Sequence, residues 1–110
     1  MYKQGEIIIV SFPFSDLSSI KQRPVLVLSK NVDNEKVEDI ITCGITSNIK
    51  DPKYSVLIET KNLIEWEIPK LSRAKVDKLF TISQDIVKKK VGRINKETFE
   101  KVKVEFAKLV

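Results

Sequence analysis

The chain has 110 residues, of which 42% are hydrophobic, enough for one domain around a single modest core. It holds no histidine and one cysteine, Cys43, so an internal disulfide framework and a Cys/His zinc site are both excluded. Lys and Arg total 20 against 15 Asp and Glu, a formal charge of +5 that suits a polyanionic partner. No apolar run approaches the roughly 18 residues of a membrane span. The N-terminus lacks a basic segment followed by a long apolar one, so no membrane segment and no secretory leader are expected. The lone thiol fits a reducing cytoplasm.

The first expected element is a strand over Gly5 to Phe12, GEIIIVSF, whose run from Ile7 to Val10 has high β-propensity. Pro13 ends it. Pro13 to Gln22 reads as a polar loop holding Asp16, Ser18 and Ser19. The next stretch, KQRPVLVLS from Lys21 to Ser29, is the one around which the rest is organised. Four apolar residues, Val25 to Leu28, follow an Arg-Pro pair, the pattern of a strand buried on both faces. Proline is tolerated at the first residue of a strand, so Pro24 is expected to mark its start. Arg23 is then left at the strand mouth beside a rigid neighbour, positioned to meet an anion.

Asn31 to Glu38 reads as a turn or exposed loop. Asp39 to Ser47, DIITCGITS, is a third strand. Alternation puts Ile41, Cys43 and Ile45 on one face and Ile40, Thr42, Gly44 and Thr46 on the other. A glycine inside such a pattern suggests a bulge or a close backbone approach, here at Gly44. Tyr54 to Glu59 is a fourth strand. Leu63 to Pro69 has no clear period, and Trp66 within it is expected to cover an edge of the core. From Leu71 to Ile82 a strand would place Arg73, Lys75 and Asp77 on one face, with Ala74, Val76 and Phe80 on the other. Ile86 to Ile94 is a last short strand with Gly92 as a turn glycine. Its Lys88-Lys89-Lys90 run fits an edge strand guarded by lysines, or an extended phosphate track.

The C-terminus has helical spacing. Asn95 is a good N-cap, Glu97 complements the helix dipole, and Phe99, Val102, Phe106 and Leu109 fall on one face. The whole is therefore expected to be mainly β: a small, strongly bent sheet or barrel with one helix packed on it.

Several pieces together resemble the MazF/PemK family of toxin endoribonucleases, over nearly the whole chain. They are GEIIIVSF, the loop PFSDLSSIKQ, RPVLVLS, then ITCGITS about twenty residues on, LSRAKVDKLFTI, the VGRI turn and the final helix. The resemblance implies residues 1–110 as one toxin domain, an SH3-like barrel of bent antiparallel strands with a C-terminal helix. It implies a homodimer in the cytoplasm, with no membrane association. It further implies a type II toxin that cleaves single-stranded RNA at selected sequences without metal or other cofactor, leaving a 2′,3′-cyclic phosphate and a 5′-hydroxyl. A cognate acidic antitoxin would occupy the substrate groove.

The family's arginine before proline falls on Arg23, and its threonine at the end of the third strand falls on Thr46, with Ser47 beside it. Ungapped matching up to Thr81-Ile82 places the assisting basic and acidic residues at Lys75 and Asp77. Lys21, Gln22, Ser47 and Arg73 are the implied RNA contacts. The loop before Arg23 departs from the family pattern: it is shorter, lacks glycine and keeps only Gln22 next to the arginine. Lys75 stands where many members have arginine. Two rivals stay open, a CcdB-like gyrase-binding toxin and a degenerate module that binds RNA or antitoxin without cleaving.

The residue types suit the implied reaction. The substrate's own 2′-hydroxyl attacks phosphorus, so the protein must orient the backbone, stabilise charge on the phosphoryl oxygens and move two protons. An arginine fork binds phosphate bidentately and stays charged. It is a poor base for the same reason. Asp77 is the expected base, Lys75 the expected proton donor to the leaving oxygen, and Thr46 a hydroxyl donor to the phosphate.

Overall fold

The computed structural model describes residues 1–13, 20–65, 68 and 70–110, with only the backbone of Phe12, Pro13, Ile20, Lys21 and Val32. Among the described residues, seven strands and two α-helices follow in the order β1 (Glu6–Pro13), β2 (Ile20–Val27), α1 (Asn31–Lys36), β3 (Asp39–Thr46), β4 (Ser55–Ile58), β5 (Leu63–Glu65), β6 (Ser72–Ser83), β7 (Val87–Ile94) and α2 (Lys96–Leu109). The strands form one sheet in the order β4-β6-β3-β2-β1-β7-β5, and every pairing is antiparallel. Register shifts in the β1–β7, β3–β6 and β5–β7 ladders add local twist, and the sheet curls into a half-barrel. None of the described helices is long and apolar enough to cross a membrane.

Alternation along the central strands feeds two cores. Ile7, Leu26, Cys43, Ile45, Ala74 and Val102 belong to one cluster. Ile8, Val10, Val25, Val27, Ile40 and Ile82 belong to the other. Val25, Leu26 and Val27 are all at most 1% exposed, the two-sided burial expected of this stretch. Helix α2 closes the first cluster with Val102 and Phe99. Its N-cap is as expected: the Asn95 side chain accepts a 2.8 Å bond from the Thr98 amide. Phe106 departs from the helix-face expectation, being 38% exposed, and of that face only Val102 and Phe99 join the cluster.

Four further expectations are corrected. Pro24 does not begin its strand, since β2 starts at Ile20. Pro24 pairs with Ile9 of β1, whereas the β3 ladder covers only Val25 to Val27. Pro24 thus stands just beyond that ladder, where one side of β2 has no need of an N–H. Second, Asn31–Lys36 is a short helix rather than a loop. The buried Asn34 holds it: its amide donates to the Tyr2 and Ser29 carbonyls, and its oxygen accepts from the Ser29 hydroxyl at 2.6 Å. Third, Gly92 lies inside β7 rather than in a turn. A Cβ there would meet the Glu65 carbonyl oxygen at 3.4 Å, so the glycine allows β5 its close approach.

Fourth, Phe80 does not share a face with Ala74 and Val76. Cys43 pairs with Leu79 but the next residue, Gly44, pairs with Lys75. The expected bulge at Gly44 is present, and the extra residues on β6 reverse its facing beyond Val76. Of the three residues expected on one face of β3, Cys43 and Ile45 are buried in the first cluster, whereas Ile41 is 48% exposed. The Asp16, Ser18, Ser19 and Trp66 expectations lie outside the described residues.

Candidate functional site

A cleft of about 460 Å³ opens where the ends of β2 and β3 separate. Its floor is aliphatic, from Ile7, Ile9, Ile45, Ile58 and Val91. Polar side chains border it: Gln22 and Arg23 from β2, Ser47 just after β3, Ser72 from β6, and two lysines, Lys70 and Lys89. The arrangement follows from ladder lengths. Among the described residues, β2 continues toward Ile20 paired with β1 after β3 has left it at Val25.

Of the residues singled out from the sequence, Arg23, Gln22 and Ser47 border the cleft. Arg23 and Gln22 are exposed, as is Ser47. The side chain of Lys21 lies outside the described residues. Thr46 is adjacent: carried two residues beyond its last pair, the β2–β3 register would set Arg23 opposite Thr46. The Thr46 hydroxyl accepts a 3.1 Å bond from the Asn48 amide, which turns the chain after β3 and aims Ser47.

Arg73 and Lys75 follow on the same side, paired with Thr46 and Gly44. Neither borders the cleft. Arg73 donates through Nε to the Ile49 carbonyl at 2.9 Å and through a terminal nitrogen to the Ser55 hydroxyl at 3.2 Å. The Lys75 side chain is 9% exposed, and its ammonium lies 2.8 Å from the Lys53 carbonyl, 3.2 Å from Asp51 Oδ2 and 3.9 Å from Asp77 Oδ1. Hydrogen bonds from the Lys53 amide and then from Lys75 hold the Asp51 carboxyl below the usual carboxylate range. The two cations therefore clamp the 47–55 segment to β6. Asp77 is exposed at the bulge. The set expected to act together is thus divided, with Arg23, Gln22 and Ser47 on the cleft and Arg73 and Lys75 beneath the neighbouring loop.

Sequence reasoning did not single out Lys70, and it left the Lys88-Lys89-Lys90 run undivided. Strand alternation divides it. Lys90 Nζ is bound by Glu65 Oε2 at 2.7 Å and Glu6 Oε2 at 3.2 Å, whereas Lys89 borders the cleft. Glu65 also meets Arg93 Nε at 3.4 Å, so these ion pairs tie β5 to β7 and β1. The ammonium of Lys90 holds the Glu65 carboxyl low, and Glu65 then Glu6 raise the Lys90 ammonium. Strand β7 is not an edge strand by order, but the described part of β5 pairs with it only at Arg93 and Ile94. Among the described residues no group of three His, Cys, Asp or Glu is placed to hold a metal ion.

The chain is thus a small half-barrel with a closing helix and a cleft bordered by Arg23, Lys70 and Lys89 over an aliphatic floor. Its family is identified by sequence: residues 3–110 match the PemK-like, MazF-like toxins of type II toxin–antitoxin systems, and the chain belongs to that family. No curated protein matches the sequence. Among solved structures, a mycobacterial endoribonuclease in complex with its cognate antitoxin superposes with a TM-score of 0.81 at 16% identity, covering 98% of this chain and 93% of that one. The MazF of a MazE–MazF complex from Deinococcus radiodurans gives 0.78 at 16% identity, over 98% and 94% of the two chains. The Mycobacterium tuberculosis toxin MazF-mt6 gives 0.74 at 18% identity, over 94% and 93%.

Proposed function

We propose that the protein is the toxin of a type II pair and cleaves single-stranded RNA by attack of the substrate's own 2′-hydroxyl. The observation that carries this reading is Arg23: an exposed guanidinium at the border of a cleft, beside Gln22 and Ser47, in a chain of the toxin family. Arg23 binds the scissile phosphate and stabilises the charge that develops on its oxygens. Thr46 adds a hydroxyl to the same phosphate, and the family resemblance supplies Asp77, exposed on β6 beside Lys75 and outside the cleft border, as the acceptor of the 2′-hydroxyl proton. Lys75, its ammonium buried against the Lys53 carbonyl and Asp51, positions the loop in this proposal, and the leaving 5′-oxygen takes its proton from solvent water. The chain has no histidine, and the chemistry needs no metal-bound water when the nucleophile belongs to the substrate. The products are a 2′,3′-cyclic phosphate and a 5′-hydroxyl.

The partners proposed are a second copy of the chain and an acidic antitoxin; the antitoxin is supported by the similar MazE–MazF structures from Deinococcus radiodurans. The test is cleavage of a mixed-sequence single-stranded RNA in EDTA, with end-group analysis of the products. Activity lost to chelator and restored by Mg²⁺ would remove the mechanism. A chain that arrests growth yet cleaves no RNA would be a binding toxin instead. Light scattering that shows only monomer at micromolar concentration would remove the dimer.

A further inference from the structure

From the cleft we infer that Lys70 and Lys89 are RNA-binding residues, gripping phosphates that flank the one held by Arg23 while the aliphatic floor between them takes a base. The inference rests on the nuclease reading and adds two residues to it. In the ladders, Pro24 and Lys89 lie on opposite sides of the same residue, Ile9. Two strand spacings of about 4.8 Å each therefore separate the backbone next to Arg23 from that of Lys89. Ile9 and Ile7 of β1 floor the interval, and Lys70 comes to its border from the segment after β5.

Cations on both sides of an apolar strip match the repeat of a single strand, in which phosphates alternate with bases whose faces are apolar. An acidic peptide offers the charges without the planar apolar groups, so the floor favours RNA. The neighbours of Lys89 are not equivalent to it. Lys90 is bound to Glu6 and Glu65, and Lys88 does not border the cleft. One lysine of the three is thus selected by facing alone.

Each phosphate neutralised on a single strand contributes about 0.7 to the slope of log affinity against log salt. The experiment measures binding of a 2′-O-methyl RNA, which cannot be cut, by fluorescence anisotropy between about 50 and 200 mM salt. Lys89→Gln and Lys70→Gln should each lower the slope by about 0.7, and Lys89→Arg should restore it. Lys88→Gln should leave the slope at the parental value. Unchanged slopes in both glutamine variants, with a parent that binds and cleaves RNA, overturn the inference and leave the nuclease reading standing. A parent that neither binds nor cleaves RNA overturns both. A loss confined to a poly-glutamate competitor, with RNA slopes intact, overturns the inference in favour of a site for protein carboxylates.

Discussion

Two groups of basic side chains lie within a few strands of one another and have opposite situations. Arg73 and Lys75 are turned against the 47–55 segment, where the Ile49 and Lys53 carbonyls, the Ser55 hydroxyl and Asp51 take their hydrogen bonds. Arg23, Lys70 and Lys89 border a cleft and are exposed. The residue types are the same, and sequence position does not separate them. What separates them is placement: two lie against the 47–55 segment, and three border the cleft. A buried ammonium with protein acceptors holds structure together, because removing it strands those acceptors. A cation on the border of an open cleft is within reach of a ligand that enters it.

The sharpest test of this division is Arg23→Ala. It should reduce single-turnover cleavage by about 100–1,000-fold, the cost of one donor aimed at developing charge, with a parental thermal melt. Arg23→Lys should recover little, since an ammonium lacks the fork. A variant that melts normally and cleaves at the parental rate would take Arg23 out of the reaction.

Lys75→Met should behave the other way. Denaturant unfolding should show a loss of about 1.5–3 kcal/mol, the usual range for hydrogen bonds to a charged group. Asp51 is 70% exposed, so the buried bond to the Lys53 carbonyl contributes most of it. If Lys75→Met instead unfolds like the parent and loses cleavage as Arg23→Ala does, Lys75 belongs to the reacting centre and the division fails.

The ion pairs around Lys90 form a third situation, in which carboxylates rather than carbonyls hold the cation. Glu65 is held below its ordinary value of 4.5, so its contribution is present above that value and lost as pH falls through its lowered value. Lys90 is raised above 10.5, so its contribution is present below that value and lost as pH rises through the raised one. A pH series of melts should be flatter at both ends for Glu65→Gln than for the parent. Parallel curves for the two proteins would show that this pair adds nothing to stability.

The smallest effect concerns Cys43. Burial, with a lesser contribution from Asp77, pushes its thiol up to about 12. Iodoacetamide at mildly alkaline pH should leave native Cys43 unmodified by mass spectrometry and label it in denaturant. Rapid labelling of the folded protein would mean that the β3–β6 bulge opens readily.

Much was determined by local sequence. Apolar runs bounded by polar residues located β1 to β4, the Gly44 break announced the bulge, and Asn95 with its helical spacing defined α2. These signals are short-range: alternation, capping and backbone freedom act over a few residues, so a linear reading captures them. The Arg-Pro step likewise brought Arg23 forward before any geometry was known. Tertiary structure decided the rest. Ladder lengths placed Pro24 inside its strand, because the need for an N–H depends on which neighbour is still paired. The helix at Asn31–Lys36 is held by Asn34 bonds to Tyr2 and Ser29, partners that no local propensity specifies. Long-range acceptors turned Arg73 and Lys75 into clamps, and the facing of one strand made Lys89, among three identical neighbours, the residue on the cleft. Sequence lists the charges a chain can present, but only folding sets some of them against a neighbouring segment and others on the border of the cleft.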